Sequence, residues 1–341
     1  MNIKTRTKKK NHYFIFPTVG AVLMVIIFIV SLAVGRYSIT FIAAIKALFG
    51  NAERVTDAAV IWELRLPRTL VAGLVGIALS LSGLIYQSTL QNELVSPEFL
   101  GVSPGASVGV AFGLLRGFPL LAVSGLGFLS GGIAMLFTLA IAWFFKNKSP
   151  IMLVLAGILV SGLMGSIVSI IKAYANTETT LPAIVFFLLG SFASVKMVHV
   201  WVLLVVVLVC AAILFLISSK LNVIALGREE AKSKGVNYKF WQTTIIIVGT
   251  VLTASAVSVA GTIGWAGLVI PHMTRMLVGH TAQKTILVAA FFGGSFMMAT
   301  DILARTFTNS EIPVGAITGI LGILAFVAIL IVKKGSDYVV D

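Results

Sequence analysis

The chain has little charge and only one cysteine. Charged residues make up 11% of its 341 residues and apolar residues make up 58%, whereas soluble domains carry roughly 25% charged residues. This composition excludes an ordinary soluble domain and indicates an integral membrane protein. Because Cys210 is the only cysteine, a disulfide framework and a cysteine-based metal site are both excluded.

The motifs of the common enzyme classes are also missing. No GxxxxGK[ST] loop occurs, so the chain does not bind and hydrolyse ATP in the usual way, and there is no GxSxG nucleophile elbow. Asp301 is the only acidic residue in a predicted span, and its i,i+4 spacing from Arg305 favours an ion pair over a proton relay. His199 and His272 lie at span ends without an HExxH-type partner, which favours interfacial positions over metal ligation. We therefore predict no catalytic residues and no metal site.

Long apolar runs fill the remainder of the chain. A bilayer core requires about 20 apolar residues per helix, and fewer where a helix is short or broken. No linker divides the runs, so we predict one all-α membrane domain over 1–341, with a basic cytoplasmic N-terminus at 1–13 and one re-entrant or interfacial helix at 183–192. The ten predicted spans are 14–34, 69–86, 99–115, 120–145, 151–171, 198–217, 242–260, 262–279, 285–304 and 313–332.

The net charge of +13 is explained by topology. The basic residues are scattered between the spans and form no basic domain with interleaved aromatics, so nucleic acid is not an expected partner. If the N-terminus is cytoplasmic, most lysines and arginines, including Lys146 and Lys148, fall on the cytoplasmic side. We therefore predict that both termini are cytoplasmic.

One compact charged segment, LNVIALGREEAKSKGVNYKF, interrupts the apolar runs after the sixth span, and its polar part covers 221–239. Asn222 predicts a turn, the residues from Arg228 to Lys234 are good helix formers, and Gly235 is a typical C-terminal stop. Connections in helical bundles are typically only 2–8 residues long. A segment of this length favours a docking surface for a cytoplasmic partner over a solvated loop.

Two stretches rich in small residues resemble each other. GIALSLSGLI around Gly83 is similar to TASAVSVAGTI around Gly261, and the two predicted spans run in opposite directions. This pattern is typical of an inverted repeat around a central pathway. Small residues are also common wherever membrane helices pack closely, so coincidence is an open alternative.

Three arginines lie at the opposite side from the charged segment. Arg65 and Arg68 occur in WELRLPRTL, just before the second span, and Arg305 occurs in ARTFTNSEIPVG. Each could be a snorkelling anchor at the membrane interface. Together they could instead receive carboxylates of an external partner, because the arginine fork matches that group.

Four segments resemble the FecCD-type permeases, which are membrane subunits of bacterial ABC importers for ferric siderophores, haem and cobalamin. The resemblance runs in order from Trp62 to near the C-terminus. It departs from the family pattern at Glu93, where a proline is common. The segments are LRLPRTLVAGLVGIALSLSGLIYQSTLQNELVSPEFLGVSPGAS (64–107), ALGREEAKSKGVN (225–237), VAGTIGWAGLVIPHMTRMLVG (259–279) and ATDILARTFTNSEIPVGAITGILG (299–322).

The resemblance implies a ten-helix subunit of the bacterial cytoplasmic membrane that pairs with an identical or paralogous permease. Two ATP-binding subunits, which hold the ATP and Mg, and an extracytoplasmic binding protein complete the implied complex. It also implies docking of the binding protein on Arg65, Arg68 and Arg305. Coupling to the ATPase is expected at Leu226, Gly227, Glu230, Ala231, Gly235 and Val236. We predict a path along Gly83, Gln87, Asn92, Ser96, Pro97, Gly261, Gly264 and Pro271.

The expected function is ATP-driven import of a ferric siderophore, without chemical change of the substrate and without a cofactor in this chain. Haem and cobalamin are the alternatives within the family. A secondary transporter working alone is the alternative from another class, and it predicts uptake that depends on an ion gradient.

Overall fold

The computed structural model describes residues 3–145, 150–308 and 310–337, and its regular structure is helical. Lys146 and Lys148, which contributed to the topology prediction, lie outside the described residues. The α-helices are α1 Ile3–Ala33, α2 Phe41–Leu48, α3 Val55–Ala59, α4 Leu66–Thr89, α5 Val102–Leu115, α6 Leu120–Phe144, α7 Pro150–Ala173, α8 Thr180–Leu188, α9 Met197–Leu216, α10 Ser218–Ile224, α11 Arg228–Ser233, α12 Tyr238–Ala260, α13 Ala266–Val278, α14 Ala282–Thr306 and α15 Val314–Asp337.

Seven helical stretches in the described part of the chain are long and apolar enough to cross a membrane. They comprise α1, the continuous run from α3 to α4, α6, α7, α9, α12 and α14, while α5 and α13 are shorter. The predicted all-helical membrane fold is confirmed. The count of ten spans stays a prediction, because α5 and α13, with 14 and 13 residues, are shorter than a straight crossing requires.

The second span begins much earlier than predicted. Helix continues from Val55 to Thr89 through a π-helical stretch, Val60–Arg65, whereas the prediction began at Thr69. Hydropathy excluded this region because it contains polar side chains such as Glu63 and Arg65. The structure nevertheless buries Arg65 inside the bundle, where neighbouring backbone carbonyls satisfy its charge.

Helix α4 is the centre of the bundle. It packs against α9, α12, α13 and α14, and small residues allow two of these approaches. A Cβ atom built on Gly83 would lie 1.8 Å from the carbonyl oxygen of Gly267 on α13, and one on Gly76 would lie 2.2 Å from that of Gly293 on α14. These glycines therefore bring helix backbones into direct contact, as expected for helices packed within a membrane.

A short helix of nine residues, α8, overlaps the segment 183–192 that was predicted to be re-entrant or interfacial. Backbone hydrogen bonds fix the loop that follows it, from Ser191 N to Ala260 O (2.9 Å) and from Val314 N to Gly190 O (2.8 Å). The loop thus joins the end of α12 to the start of α15. That α8 is re-entrant, and that the two halves form an inverted repeat, both stay predictions.

Substitution of Gly83 by alanine is expected to destabilise the fold by about 1–3 kcal/mol, because the added methyl group has to displace the backbone of α13. Gly162→Ala is the matched control, since a Cβ there meets nothing within 4 Å. The control is expected to be neutral or to stabilise α7 by about 0.5–1 kcal/mol. Thermal unfolding in detergent measures both, and equal melting temperatures would contradict the tight contact.

Candidate functional site

A buried ion cluster occupies the end of the bundle where α4 begins. Asp301 on α14 is fully buried and receives Arg68 Nε on its Oδ1 at 2.8 Å, while Arg305 Nε lies 3.4 Å from its Oδ2. Arg68 also binds Glu311 Oε1 at 2.5 Å. The predicted Asp301–Arg305 pair is confirmed. No local sequence signal could have revealed Arg68 as a partner, because it lies 233 positions away.

Two of the arginines at this end also bind the free carbonyl groups in the last turn of α1. Arg65 Nη1 donates to the carbonyl oxygens of Leu32 and Ala33, both at 2.7 Å. Arg305 Nη2 donates to Ser31 O and Ser31 Oγ, both at 2.6 Å. The last carbonyls of a helix have no partner within it, and a cation near them is favourable. The arginines therefore act as caps for α1.

This placement differs from the expected docking surface. Arg65 and Arg305 are 4% and 6% exposed, and the Arg68 side chain is 12% exposed. Their forks already bind internal oxygens, so in this structure they are neither free outer-face cations nor snorkelling anchors. A cavity of about 220 Å³ adjoins the cluster and is also lined by Arg36, which is exposed.

The buried cluster predicts unequal effects for its two carboxylates. Asp301→Asn is expected to lower the free energy of unfolding by about 3 kcal/mol, because two buried guanidinium groups lose their shared counter-charge. Glu311→Gln is the control, and its pair is more exposed, so about 1 kcal/mol or less is expected. Denaturant unfolding in detergent measures both. An equal loss in the two variants would contradict the bridging role of Asp301.

The charged segment lies at the other end of α4, which is about 36 Å long at 1.5 Å per residue. The predicted helix from Arg228 is confirmed as α11, and it ends one residue before the predicted Lys234. Gly235 follows in the left-handed conformation, with φ of 67°, as expected of a C-terminal stop. The predicted turn at Asn222 is wrong. Asn222 lies within α10, and its Oδ1 accepts a hydrogen bond from Ala282 N at 2.8 Å, which caps α14.

The residues expected to couple to the ATPase divide into two groups. Leu226 is 55% exposed, and Glu230 and Gly235 are exposed beside it. Ala231 is fully buried, and Val236 packs against the central core. The inward group fixes α11 on the bundle, and the outward group forms a surface with one apolar side chain among charges.

A residue that the sequence did not indicate joins this segment to α4. Gln91, two residues beyond the end of α4, donates from Nε2 to Ala225 O at 3.2 Å. A Cβ on Gly227 would lie 2.9 Å from the same nitrogen, so the absence of a side chain at Gly227 makes room for the contact. The contact therefore joins the residues just before α11 to the loop that follows α4.

Most of the predicted path residues lie in tight packing between α4, α13 and the 3₁₀ turn Pro97–Leu100. Gln87 is 2% exposed, donates from Nε2 to Leu268 O at 3.3 Å and accepts from Arg275. Pro97 packs on Gly267, and Gly264 faces the carboxylate of Glu98. Pro271 is buried within α13, and Ser96 is buried before the turn.

The remaining two path residues lie apart. Gly261, with φ of 75°, ends α12 against Phe187 O of α8. Asn92 is exposed, and its Oδ1 accepts from Leu94 N at 2.9 Å in a local turn. That these eight residues line a path stays a prediction.

The two histidines are buried instead of interfacial. His199 and His272 are 4% and 7% exposed. His199 Nδ1 accepts a hydrogen bond from Lys196 N at 3.0 Å, which ties the ring to the start of α9. His272 Nδ1 lies 3.3 Å from Glu93 Oε2, so the residue that departs from the family pattern joins the loop after α4 to α13.

Burial raises the pKa of the Glu98 carboxyl above its usual range. When the pKa of an acid is raised in the folded state, the folded protein is more stable with that acid protonated. Its stability therefore falls as pH rises through the raised pKa and the acid ionises. Glu98→Gln is therefore expected to melt higher than the wild type at about pH 8 and to lose this advantage at about pH 4. Thermal unfolding at the two pH values is the measurement. A difference that is independent of pH would contradict a buried, destabilising carboxylate.

Comparison with known proteins places the chain in one family. The model of the FecCD transport family matches residues 23–332. The molybdate import system permease protein MolB of Haemophilus influenzae is 35% identical over 92% of this chain and 95% of that protein. A probable iron chelatin permease of Helicobacter pylori is 34% identical over 84% and 86%. The vitamin B12 import permease BtuC of Klebsiella pneumoniae is 34% identical over 81% and 83%.

Solved structures agree with these relatives. An inward-facing structure of a metal-chelate type ABC transporter has a TM-score of 0.83 and 35% identity, and the match covers 93% of this chain and 98% of that one. PsaBC from Streptococcus pneumoniae shares the fold, with a TM-score of 0.62 at 16% identity over 80% and 93%. With a family model spanning most of its length and relatives along nearly its whole sequence, the chain belongs to the FecCD transport family, the permeases of ABC importers.

Proposed function

We propose that this chain is the permease subunit of an ATP-driven importer that moves a ferric siderophore into the cytoplasm. One observation carries the proposal most directly: exposed Leu226 lies two residues before α11, among charged residues at one end of the bundle. An exposed apolar side chain with a charged rim is typical of a protein interface. The partner at this surface is a separate ATPase that holds the ATP and Mg. This chain contributes no cofactor and no catalytic residue.

The contacts of α11 support a transmission route. Closure of the ATPase would push on Leu226, and the buried Ala231 would carry the whole of α11 with it. The Gln91–Ala225 hydrogen bond then passes the movement to the end of α4. Because α4 contacts α13 through the backbone at Gly83, the two helices would shift together. This gives a continuous mechanical connection from the ATPase surface to the centre of the bundle.

The rest of the complex follows from the family. We propose ten spans with both termini and α11 in the cytoplasm, and a second FecCD permease, identical or paralogous, across the path. The arginine cluster then faces outward, towards an extracytoplasmic binding protein. The exposed Arg36 offers the first contact, and Arg68 is the member of the cluster best placed to exchange Glu311 for a carboxylate of the partner. Arg65 and Arg305 are buried beneath that surface, where they bind the end of α1.

The relatives support several substrates. One imports molybdate, one is named for an iron chelatin and one imports vitamin B12. We favour the ferric chelate, since the structural relative is of the metal-chelate type. Molybdate is the second candidate because of the 35% identical molybdate permease, and haem and cobalamin follow. Uptake of each labelled compound into proteoliposomes containing the complete complex distinguishes them, and molybdate uptake without iron chelate uptake would overturn the siderophore assignment.

A transporter working alone is disfavoured by Asp301. A proton-driven carrier requires an acid that can release and bind protons during transport. Asp301 is held between Arg68 and Arg305, which makes it a structural counter-charge.

The coupling surface predicts a large effect of Leu226→Glu. Because a charge would replace the central apolar contact, recovery of the ATPase with the purified permease is expected to fall at least about tenfold. Gln283→Glu is the control, since it adds the same charge at an exposed position on the first turn of α14 at the same end. Co-purification and stimulated ATP hydrolysis are the measurements. Full recovery of the ATPase with Leu226→Glu would exclude α11 as the coupling surface.

The docking surface predicts a smaller effect of Arg36→Glu. Reversal of one rim charge is expected to slow association of the loaded binding protein several-fold, and the effect should weaken as salt is added. Lys239→Glu, exposed at the opposite end, is the control. Stopped-flow binding to the permease in nanodiscs measures the rate. An unchanged rate at low salt would remove Arg36 from the docking surface.

A further inference from the structure

Two neighbouring cavities lie between α6 and α9 and are also lined by residues of α12. Their volumes are about 320 Å³ and about 330 Å³, and Ser124, His199, Ser258 and Val259 line both of them. Because they share these walls, we treat them as one feature, the α6–α9 groove. It lies towards the arginine cluster, since His199 begins α9 and Ser258 is close to the end of α12.

The lower part of the α6–α9 groove is apolar and opens at the side of the bundle. Phe128 and Val206 are among its walls. The flanking residues are exposed and apolar, as expected of a surface that faces lipid, with Leu129 at 61%, Trp201 at 62% and Val205 at 60% exposure. From His199 to Val206 the groove follows α9 for about 10 Å at 1.5 Å per residue. A narrow apolar groove that opens to hydrocarbon suits an alkyl chain.

His199 supplies a polar group within this apolar groove. The side chain is only 4% exposed, and its Nδ1 accepts the backbone N–H of Lys196. A ring that accepts at Nδ1 is neutral and carries its proton on Nε2. Nε2 is thus a hydrogen-bond donor in the groove, and it donates to no other residue in the described part of the chain. A donor of this kind within an apolar groove selects a ligand with an acceptor oxygen.

We propose that the α6–α9 groove binds one acyl chain of a glycerophospholipid, whose ester carbonyl accepts a hydrogen bond from His199 Nε2. The acyl chain lies along Phe128 and Val206. Lys196 is exposed directly before α9 and provides a cation for the lipid phosphate at the membrane surface. The upper part of the groove is lined by Phe186 and Phe187 of α8, so the bound lipid also packs against α8 and helps to hold it.

The helix α6 offers a matched pair of variants for the test. A Cβ on Gly125, which lines the groove, and one on Gly132, which lines neither cavity, both meet nothing within 4 Å. Gly125→Leu is therefore expected to place a side chain in the groove from a Cβ position that is free of contacts, and Gly132→Leu makes the same change two turns further along α6. Both variants gain the same helix propensity.

The probe is phosphatidylglycerol with a photoreactive diazirine on one acyl chain, present in vesicles of phosphatidylethanolamine and phosphatidylglycerol. In the wild type, peptides of α6 and α9 that line the groove are expected to carry the label. Gly125→Leu is expected to reduce this labelling at least about fivefold, because the leucine occupies the apolar space of the chain. Gly132→Leu is expected to label like the wild type.

The hydrogen bond is tested separately at His199. His199→Leu is expected to weaken the apparent affinity for the probe about twofold to tenfold, and His199→Gln is expected to restore it, because glutamine both donates and accepts. Equal labelling of the two glycine variants would overturn the proposal. Even labelling around the whole lipid-facing surface would also overturn it, as would cross-links from the groove to a second copy of the chain.

Discussion

The structure depends on one constraint: a chain with so little polar surface has to satisfy every buried backbone group where its helices end. Side chains from distant parts of the sequence do this. Arg65 and Arg305 bind the last carbonyls of α1, and Asn222 binds the first free N–H of α14. At the end of α8, Thr262 Oγ1 donates to Leu188 O. These polar residues therefore join helices that lie far apart in the sequence.

The buried arginines at this end of the bundle also need counter-charges. Three arginines would repel one another in a region of low dielectric, and Asp301 relieves that repulsion by binding two of them. Glu311 holds the outer fork of Arg68. These arginines can cap α1 and also bind a partner protein if only the Arg68–Glu311 pair exchanges partners. Arg65 and Arg305 are already needed to bind the last carbonyls of α1.

The two ends of the bundle are connected through α4. Gln91, just beyond its last turn, contacts the α10–α11 segment, and Arg68 joins its first turn to α14. Along its length, contacts at Gly76 and Gly83 leave no side chains between its backbone and those of α13 and α14. Contacts without flexible side chains transmit displacement well, since nothing between the backbones can yield. This is a physical reason for the small-residue stretches in a transport protein.

The sequence by itself determined the membrane class, most helix positions, the family and the short helix α11 with Gly235 at its end, because composition, hydropathy and turn chemistry are local properties. It could not determine the start of the second span or the surroundings of the three arginines. Arg65 lowers the hydropathy of its segment, and only the neighbouring end of α1 makes its burial favourable. The same reason applies to Gln91 and Asn222. The partner of each lies in a backbone group whose position follows from the packing of whole helices, and only the tertiary structure brings them together.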